Sequence, residues 1–210
     1  MKTMIVTKMQ CITKMKMRVF LDGEPAFVAS PAQIRLWGLY EGKKLDPEQE
    51  STLQHQIYLY AARTAAETLA RREYSAHELE QKLRSREFTS EAIRYALDYV
   101  RQKHYQDDER CAEAYIRSHS HKKSRLQMRA CLREKGISDD VIEIALNEYC
   151  PDDSDILVAD LNKRFGPDGL IPAPEDLAYQ KLIHSYQRKG FRFSDIREAF
   201  TKYSKSSDDL

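Results

Sequence analysis

The chain has no apolar run close to the ~20 residues that a membrane-crossing helix requires, and its first residues lack the continuous apolar core of a secretion signal. Both absences point to a cytoplasmic protein with no membrane partner. Cysteine is sparse. Cys11, Cys111, Cys131 and Cys150 contain no pair at C-x-x-C spacing and have no histidines grouped with them, so neither a metal site nor a disulfide framework is expected. In a reducing compartment they read as small apolar fillers, Cys111 and Cys131 falling on apolar stripes. The seven glycines are dispersed at turns and form no phosphate-cradling loop, which argues against nucleotide hydrolysis. Serines occur without a nucleophile elbow, and His119 and His121 lie among lysines that disfavour a protonated imidazole. No catalytic residue, cofactor or metal is therefore expected, and the chain reads as a non-enzyme. With 34 Lys and Arg against 33 Asp and Glu, the formal net charge is +1. No global field draws it to nucleic acid or to an anionic membrane, so any such attraction must be local.

What is present is charge, at 32% of residues, with the apolar residues spent in narrow stripes suited to small helical bundles. The beginning differs. Met4–Cys11 and Met15–Leu21 alternate, Asp22-Gly23 is a hairpin turn, and Pro25–Ala29 supplies a returning strand, which predicts a three-stranded sheet. Pro31–Trp37 predicts a short helix ended by Gly38, with Trp37 as an anchor for this module. Asp46-Pro47-Glu48 offers an N-cap, a proline at the first helical position and an acid in the first turn. A stripe of Leu53, Ile57, Tyr60, Ala61, Thr64, Ala65, Thr68 and Leu69 follows, and Gln54-His55-Gln56 is a point where one helix could give way to another.

The central feature is repetition. Leu83, Phe88, Ile93 and Leu97 recur at a constant offset of 49 as Leu132, Ile137, Ile142 and Leu146, and again at a further 54 as Tyr186, Phe191, Ile196 and Phe200. Ser75 with Glu78 has capping-box spacing and maps onto Ser124 with Gln127. The third copy lacks this pair and is expected to start at Pro174-Glu175-Asp176 instead. Each copy is written as three helices: Tyr58–Arg72, Ala76–Arg86 and Ser90–Lys103; Asp108–Ser118, Arg125–Lys135 and Asp139–Tyr149; Ser154–Phe165, Glu175–Lys189 and Asp195–Tyr203. Glycine and proline between Gly166 and Pro174 forbid helix there. The fold class expected is mainly α: three tandem three-helix repeats in an elongated, curved body, preceded by a small β-hairpin and helix module. The corresponding domains are 1–57 for that module, then repeats at 58–105, 106–150 and 151–210. Tyr105-Gln106-Asp107 makes a short, stiff join, whereas acidic Pro151-Asp152-Asp153 suits a hinge.

The acids at Asp107-Asp108-Glu109, Asp139-Asp140 and Asp152-Asp153 each precede or open a helix, where the helix dipole explains them. The strongest local charge lies between Arg117 and Lys135, where Arg117, Lys122, Lys123, Arg125, Arg129 and Arg133 are opposed only by Glu134. Arg125, Arg129 and Arg133 share one helix face, a row suited to phosphates or carboxylates. With no acid in the same row, charge reversal there is expected to leave stability nearly unchanged. These six are the candidate partner-binding residues; the alternative is a solvated helix face. Tyr95, Tyr99, Tyr105 and Tyr115 read as packing residues rather than base-stacking ones.

Ala61-Ala62-Arg63, leading to Arg72-Glu73-Tyr74-Ser75 and then Glu78 to Leu83, resembles the first unit of the RecX family. Asp107-Asp108-Glu109-Arg110, Tyr115-Ile116-Arg117-Ser118 and Leu132 to Ser138 resemble its second unit, and Arg188 to Phe191 with Asp195-Ile196 extends the likeness more loosely through the third. The N-terminal module through Gly38 to Gly42 is similar to an extension of longer members. Two departures stand out: Cys111 replaces a usual large aromatic, and Ser118–Lys123 is rich in His and Lys where a glycine turn is commoner. The resemblance implies a monomeric regulator that binds the RecA filament on single-stranded DNA, with weak contact to single-stranded or duplex DNA, and that alters ATPase, recombinase and coprotease activities in DNA repair and the SOS response. Inhibition is the expected sign. A helical DNA-binding regulator acting without RecA is the alternative, against which stand Asp139, Asp140, Glu143 and Glu148 on what would be its recognition helix.

Overall fold

The structure, a computed structural model, describes residues 4–167 and 169–206, with the side chains of all but 205 and 206. The chain divides into two compact units, Met1–Asp107 and Asp108–Leu210. In the first, β1 (Met4–Thr13), β2 (Lys16–Leu21), β3 (Glu24–Ala29), α1 (Pro31–Leu36) and β4 (Lys44–Leu45) precede α2 (Pro47–Leu69), α3 (Ala76–Arg84) and α4 (Ser90–Gln102). The second comprises α5 (Asp108–His119), α6 (Arg125–Glu134), α7 (Asp139–Tyr149), α8 (Asp153–Phe165), α9 (Leu177–Arg188) and α10 (Phe193–Ser206).

The sheet has four strands in the order β3-β2-β1-β4, one more than the alternation predicts. The addition, β4, is two residues long and pairs only with Met4 and Ile5, too short to leave a periodic signal. Asp22 and Gly23 both take positive φ, 49° and 91°, as the tight hairpin turn between β2 and β3 requires. Val6, Val19 and Phe27 are buried beneath the sheet. Trp37 stands edge-on to Phe27 at 5.5 Å and to Tyr60 of α2 at 5.6 Å, so the anchor expected of it joins the sheet to the first bundle.

Helix α2 runs unbroken through Gln54-His55-Gln56, because nothing there removes an amide donor or competes for one. It starts earlier than Tyr58, at Pro47. The Asp46 carboxylate accepts from the Gln49 amide, and the Gln49 side chain accepts from the Asp46 amide. Ser75 and Glu78 form the expected reciprocal cap on α3, and the Ser124 hydroxyl accepts from the Gln127 amide at 3.2 Å on α6. The third copy differs from expectation. Its middle helix begins at Leu177, since the Asp176 carboxylate turns back to accept from the Ala173 amide and holds residues 173–176 in a turn. The final helix is longer than predicted at both ends.

Three of the four sets of matched apolar positions occupy matched sites, while in the fourth Leu97 is only partly buried where Leu146 and Phe200 are buried. Leu83, Leu132 and Tyr186 are at most 1% exposed, and Phe88, Ile137 and Phe191 are all buried, as are Ile93, Ile142 and Ile196. At each turn the amide five residues after the first member returns to it: Phe88 to Leu83, Ile137 to Leu132 and Phe191 to Tyr186, at 3.4, 3.2 and 3.2 Å. Each such turn needs one residue with positive φ, supplied by Glu87, Gly136 and Gly190 at 61°, 75° and 78°. The N-terminal module and first bundle share one apolar core, and the second and third bundles share another. Cys111 and Cys150 are buried in the latter, as fillers. Cys11, on the exposed part of β1, is not one, and Cys131 is only half-buried.

Candidate partner-binding face

Helix α6 carries Arg125, Arg129 and Arg133 one above another, as the spacing of four dictates. What the sequence did not reveal is that α7 and the join after it bring polar partners to this row. The Arg125 guanidinium donates to the Cys150 carbonyl at 3.1 Å and to Asn147 Oδ1 at 2.7 Å, while the Arg125 amide donates to Asp153 Oδ1 at 2.9 Å. The segment read as a hinge, Pro151-Asp152-Asp153, is thus fastened to α6 on both sides. Arg129 pairs with Glu143 at 2.7 Å, and its Nε is buried without a partner among the described residues. Arg133 donates to Asp139 Oδ1 at 2.6 Å, which holds the Asp139 carboxyl below its usual range.

The remaining basic residues divide similarly. Arg117 pairs with Glu113 at 2.8 Å and lies 4.8 Å from the Tyr149 ring. Lys123 Nζ donates to the Tyr115 hydroxyl at 2.6 Å and to Cys131 Sγ at 3.3 Å. That first hydrogen bond raises the ammonium's pKa above its ordinary value. Tyr115 in turn stacks on His119 at 4.1 Å, the packing role expected of it, whereas Tyr105, read the same way, is exposed. Lys122 is exposed, beside Ser120 and His121 in a shallow depression against α8. The row therefore presents a face on which most guanidinium groups already hold one carboxylate or carbonyl and retain further N–H donors. Its acids on α7 were legible only as dipole partners, because the pairing of α6 with α7 follows from the tertiary fold.

Between the second and third bundles lies a cleft of about 270 Å³, in which Arg125, Arg129 and Arg192 face Asp153, Asp195 and Glu198. Burial raises the Asp153 carboxyl above its usual range. Across the cleft the Arg125 amide donates to the Asp153 carboxylate. Among the described residues no group of His, Cys, Asp and Glu could hold a metal, and no helix is long and apolar enough to cross a membrane.

Tandem three-helix units behind a small sheet define a class of helical-repeat proteins. Family models for the first and second three-helix domains of RecX match residues 61–99 and 107–146. A regulatory protein RecX of Vibrio vulnificus is 31% identical over 141 residues, spanning 66% of this chain and 89% of the relative. That of Chlorobaculum tepidum is 33% identical, spanning 75% and 88%. That of Clostridium acetobutylicum is 29% identical and spans 73% of each. The chain belongs to the RecX family. Two solved structures share the fold: a regulatory protein RecX with a TM-score of 0.58 at 22% identity, covering 93% of this chain and 98% of the other, and RecX from Lactobacillus salivarius with 0.56 at 21%, covering 74% and 99%.

Proposed function

We propose that this chain is a cytoplasmic, monomeric regulator that binds the RecA filament on single-stranded DNA and inhibits its ATPase, recombinase and coprotease activities, in DNA repair and the SOS response. Membership of a family whose relatives are named regulatory proteins supports the regulatory part. The observation that carries the choice of a filament is the repetition: three of the four repeated apolar positions are buried in each of three bundles that follow one another along the chain. Bundles repeated along the chain, the first opening at Pro47 inside the region expected to be the N-terminal module, offer repeated surfaces, which match a partner that itself repeats. No bond need be made or broken. A ligand that binds one filament state better than another shifts the equilibrium by that difference alone.

The basic face divides by role in this reading. Lys122, Arg117 and Arg133 are the outward contacts to acidic RecA surface or filament DNA, while Lys123 is held by Tyr115 and Cys131. Arg125 and Arg129 hold the face in place, their spare donors reaching the partner. The test is RecA ATPase on single-stranded DNA with and without the protein. A lowered rate is expected, and a reversal of Arg117, Lys122 and Arg133 to Glu should restore it. An unchanged rate, with no co-sedimentation on RecA filaments, would overturn the reading.

A further inference from the structure

We infer that the β1–β2 hairpin is a second contact surface, made for the phosphodiester backbone of nucleic acid. This goes beyond the filament reading and uses a different unit of the chain. The first 21 residues contain Lys2, Lys8, Lys14, Lys16 and Arg18 and no acid, in a protein whose overall charge is only +1. Three acids near the arm are already engaged. Asp22 Oδ1 accepts from the Ile5 amide at 2.8 Å, Glu41 Oε1 accepts from the Met9 amide at 2.6 Å, and Glu87 pairs with Arg18. Lys8, Lys14 and Lys16 are exposed, and none of them has an ion pair among the described residues.

The arm also projects. The last pair between β2 and β3 is Met17 with Ala29, and β4 covers only Met4 and Ile5, so Cys11 to Lys16 extends past both neighbouring strands. Its tip exposes two aliphatic side chains between the lysines, Ile12 at 41% and Met15 at 72%. Ammonium groups free of ion pairs, flanking an apolar tip, fit phosphates on the outside and sugar or base faces within. Duplex DNA offers one charge per ~1.7 Å of axis, so a short arm meets several at once. Contacts of this kind carry no base code, and the arm takes single strands and duplexes alike. An anionic lipid surface fits less well, since two small aliphatic groups bury too little area to hold an arm in a bilayer.

The test uses the full chain and fluorescence anisotropy with a labelled oligothymidylate and a labelled mixed-sequence duplex. The arm variant Lys8→Glu, Lys14→Glu, Lys16→Glu is compared with a charge-matched control, Lys103→Glu, Lys163→Glu, Lys181→Glu. The arm variant should bind both probes about tenfold more weakly or worse. Its plot of log affinity against log salt should flatten by about 2 to 3, because each phosphate left without its lysine takes about 0.7 to 0.9 from the slope. The control should keep most of the affinity. A Lys→Gln triple at the arm, checked by circular dichroism, reports the same flattening with the least disturbance of the sheet. Equal loss in the control, undiminished binding by the arm variants, or binding of the native chain to phosphatidylserine vesicles but to neither DNA would each overturn the inference. RecA ATPase on the arm variant separates the two readings, because loss of DNA affinity with retained modulation leaves the arm as a DNA contact independent of RecA.

Discussion

Arg18 on β2 reaches across 69 positions of sequence to Glu87, its Nε donating to the carboxylate at 2.6 Å. Glu87 is the residue with positive φ at the turn between α3 and α4, where the other two bundles place Gly136 and Gly190. A side chain at such a position costs ~1–2 kcal/mol of backbone strain relative to glycine. Here the side chain serves to fasten the first bundle to the sheet.

That pairing carries a pH signature. Arg18 holds the Glu87 carboxyl below its usual range, so the folded chain binds fewer protons there than the unfolded one in the window below about pH 4.5. Stability from the pair is therefore complete above that window and is lost as pH falls through the folded pKa. Arg18→Ala should move the Glu87 titration, followed by side-chain NMR, back up to the ordinary glutamate range and flatten the acid limb of urea stability. An unmoved titration would show that the ion pair does not form in solution.

Gly190 and Gly166 separate strain from packing. Both have positive φ, 78° and 82°, in the same unit. A Cβ at Gly166 meets nothing, whereas one at Gly190 comes within 2.8 Å of Ser124 Oγ and 3.0 Å of Gln127 Cγ. Gly166→Ala should cost about 1–3 kcal/mol, the conformational penalty alone, since φ 82° with ψ 170° is a region that only glycine populates readily. Gly190→Ala should cost, beyond the ~1–2 kcal/mol of a left-handed backbone, the disturbance of the Ser124 cap of α6, itself worth ~1 kcal/mol, as read in urea denaturation. A Gly190→Ala loss no larger than the backbone part would mean the packing between these bundles is loose.

The arginine row is not uniform: reversal is expected to leave stability nearly unchanged, but the contacts of Arg125 argue for a loss at that position. That guanidinium satisfies the Cys150 carbonyl and Asn147 at the join between bundles. Arg125→Ala should destabilise the second unit by about 1–3 kcal/mol, the range for hydrogen bonds from a charged group and their unmet acceptors. Arg133→Ala, at an exposed pair, should leave the melting temperature nearly unchanged. Thermal melts of the two variants decide it, equal melting temperatures counting against the assigned division of roles.

Thiol reactivity should follow burial. Cys150 is pushed up to about 11 by burial, and Cys111 is buried, while Cys11 is exposed. Alkylation at about pH 8 should label Cys11 first, with Cys111 and Cys150 reacting only on unfolding of their unit, since the thiolate is the nucleophile. Peptide mass mapping over time distinguishes this order from any other.

The sequence by itself determined the helices, the caps at Asp46, Ser75 and Ser124, the hairpin turn and the threefold apolar register, because each depends on residues a few positions apart. It also carried the family, through motifs that lie within single units. Only the tertiary structure decided that α2 passes unbroken through Gln54-His55-Gln56, that Asp139 and Glu143 turn to meet Arg133 and Arg129, and that Arg18 fills with Glu87 a place held by glycine elsewhere. Those are contacts between elements. A linear pattern records which face of a helix is apolar and which is charged, but the partner of a charge is set by which elements pack together, and that choice is made by the shared cores.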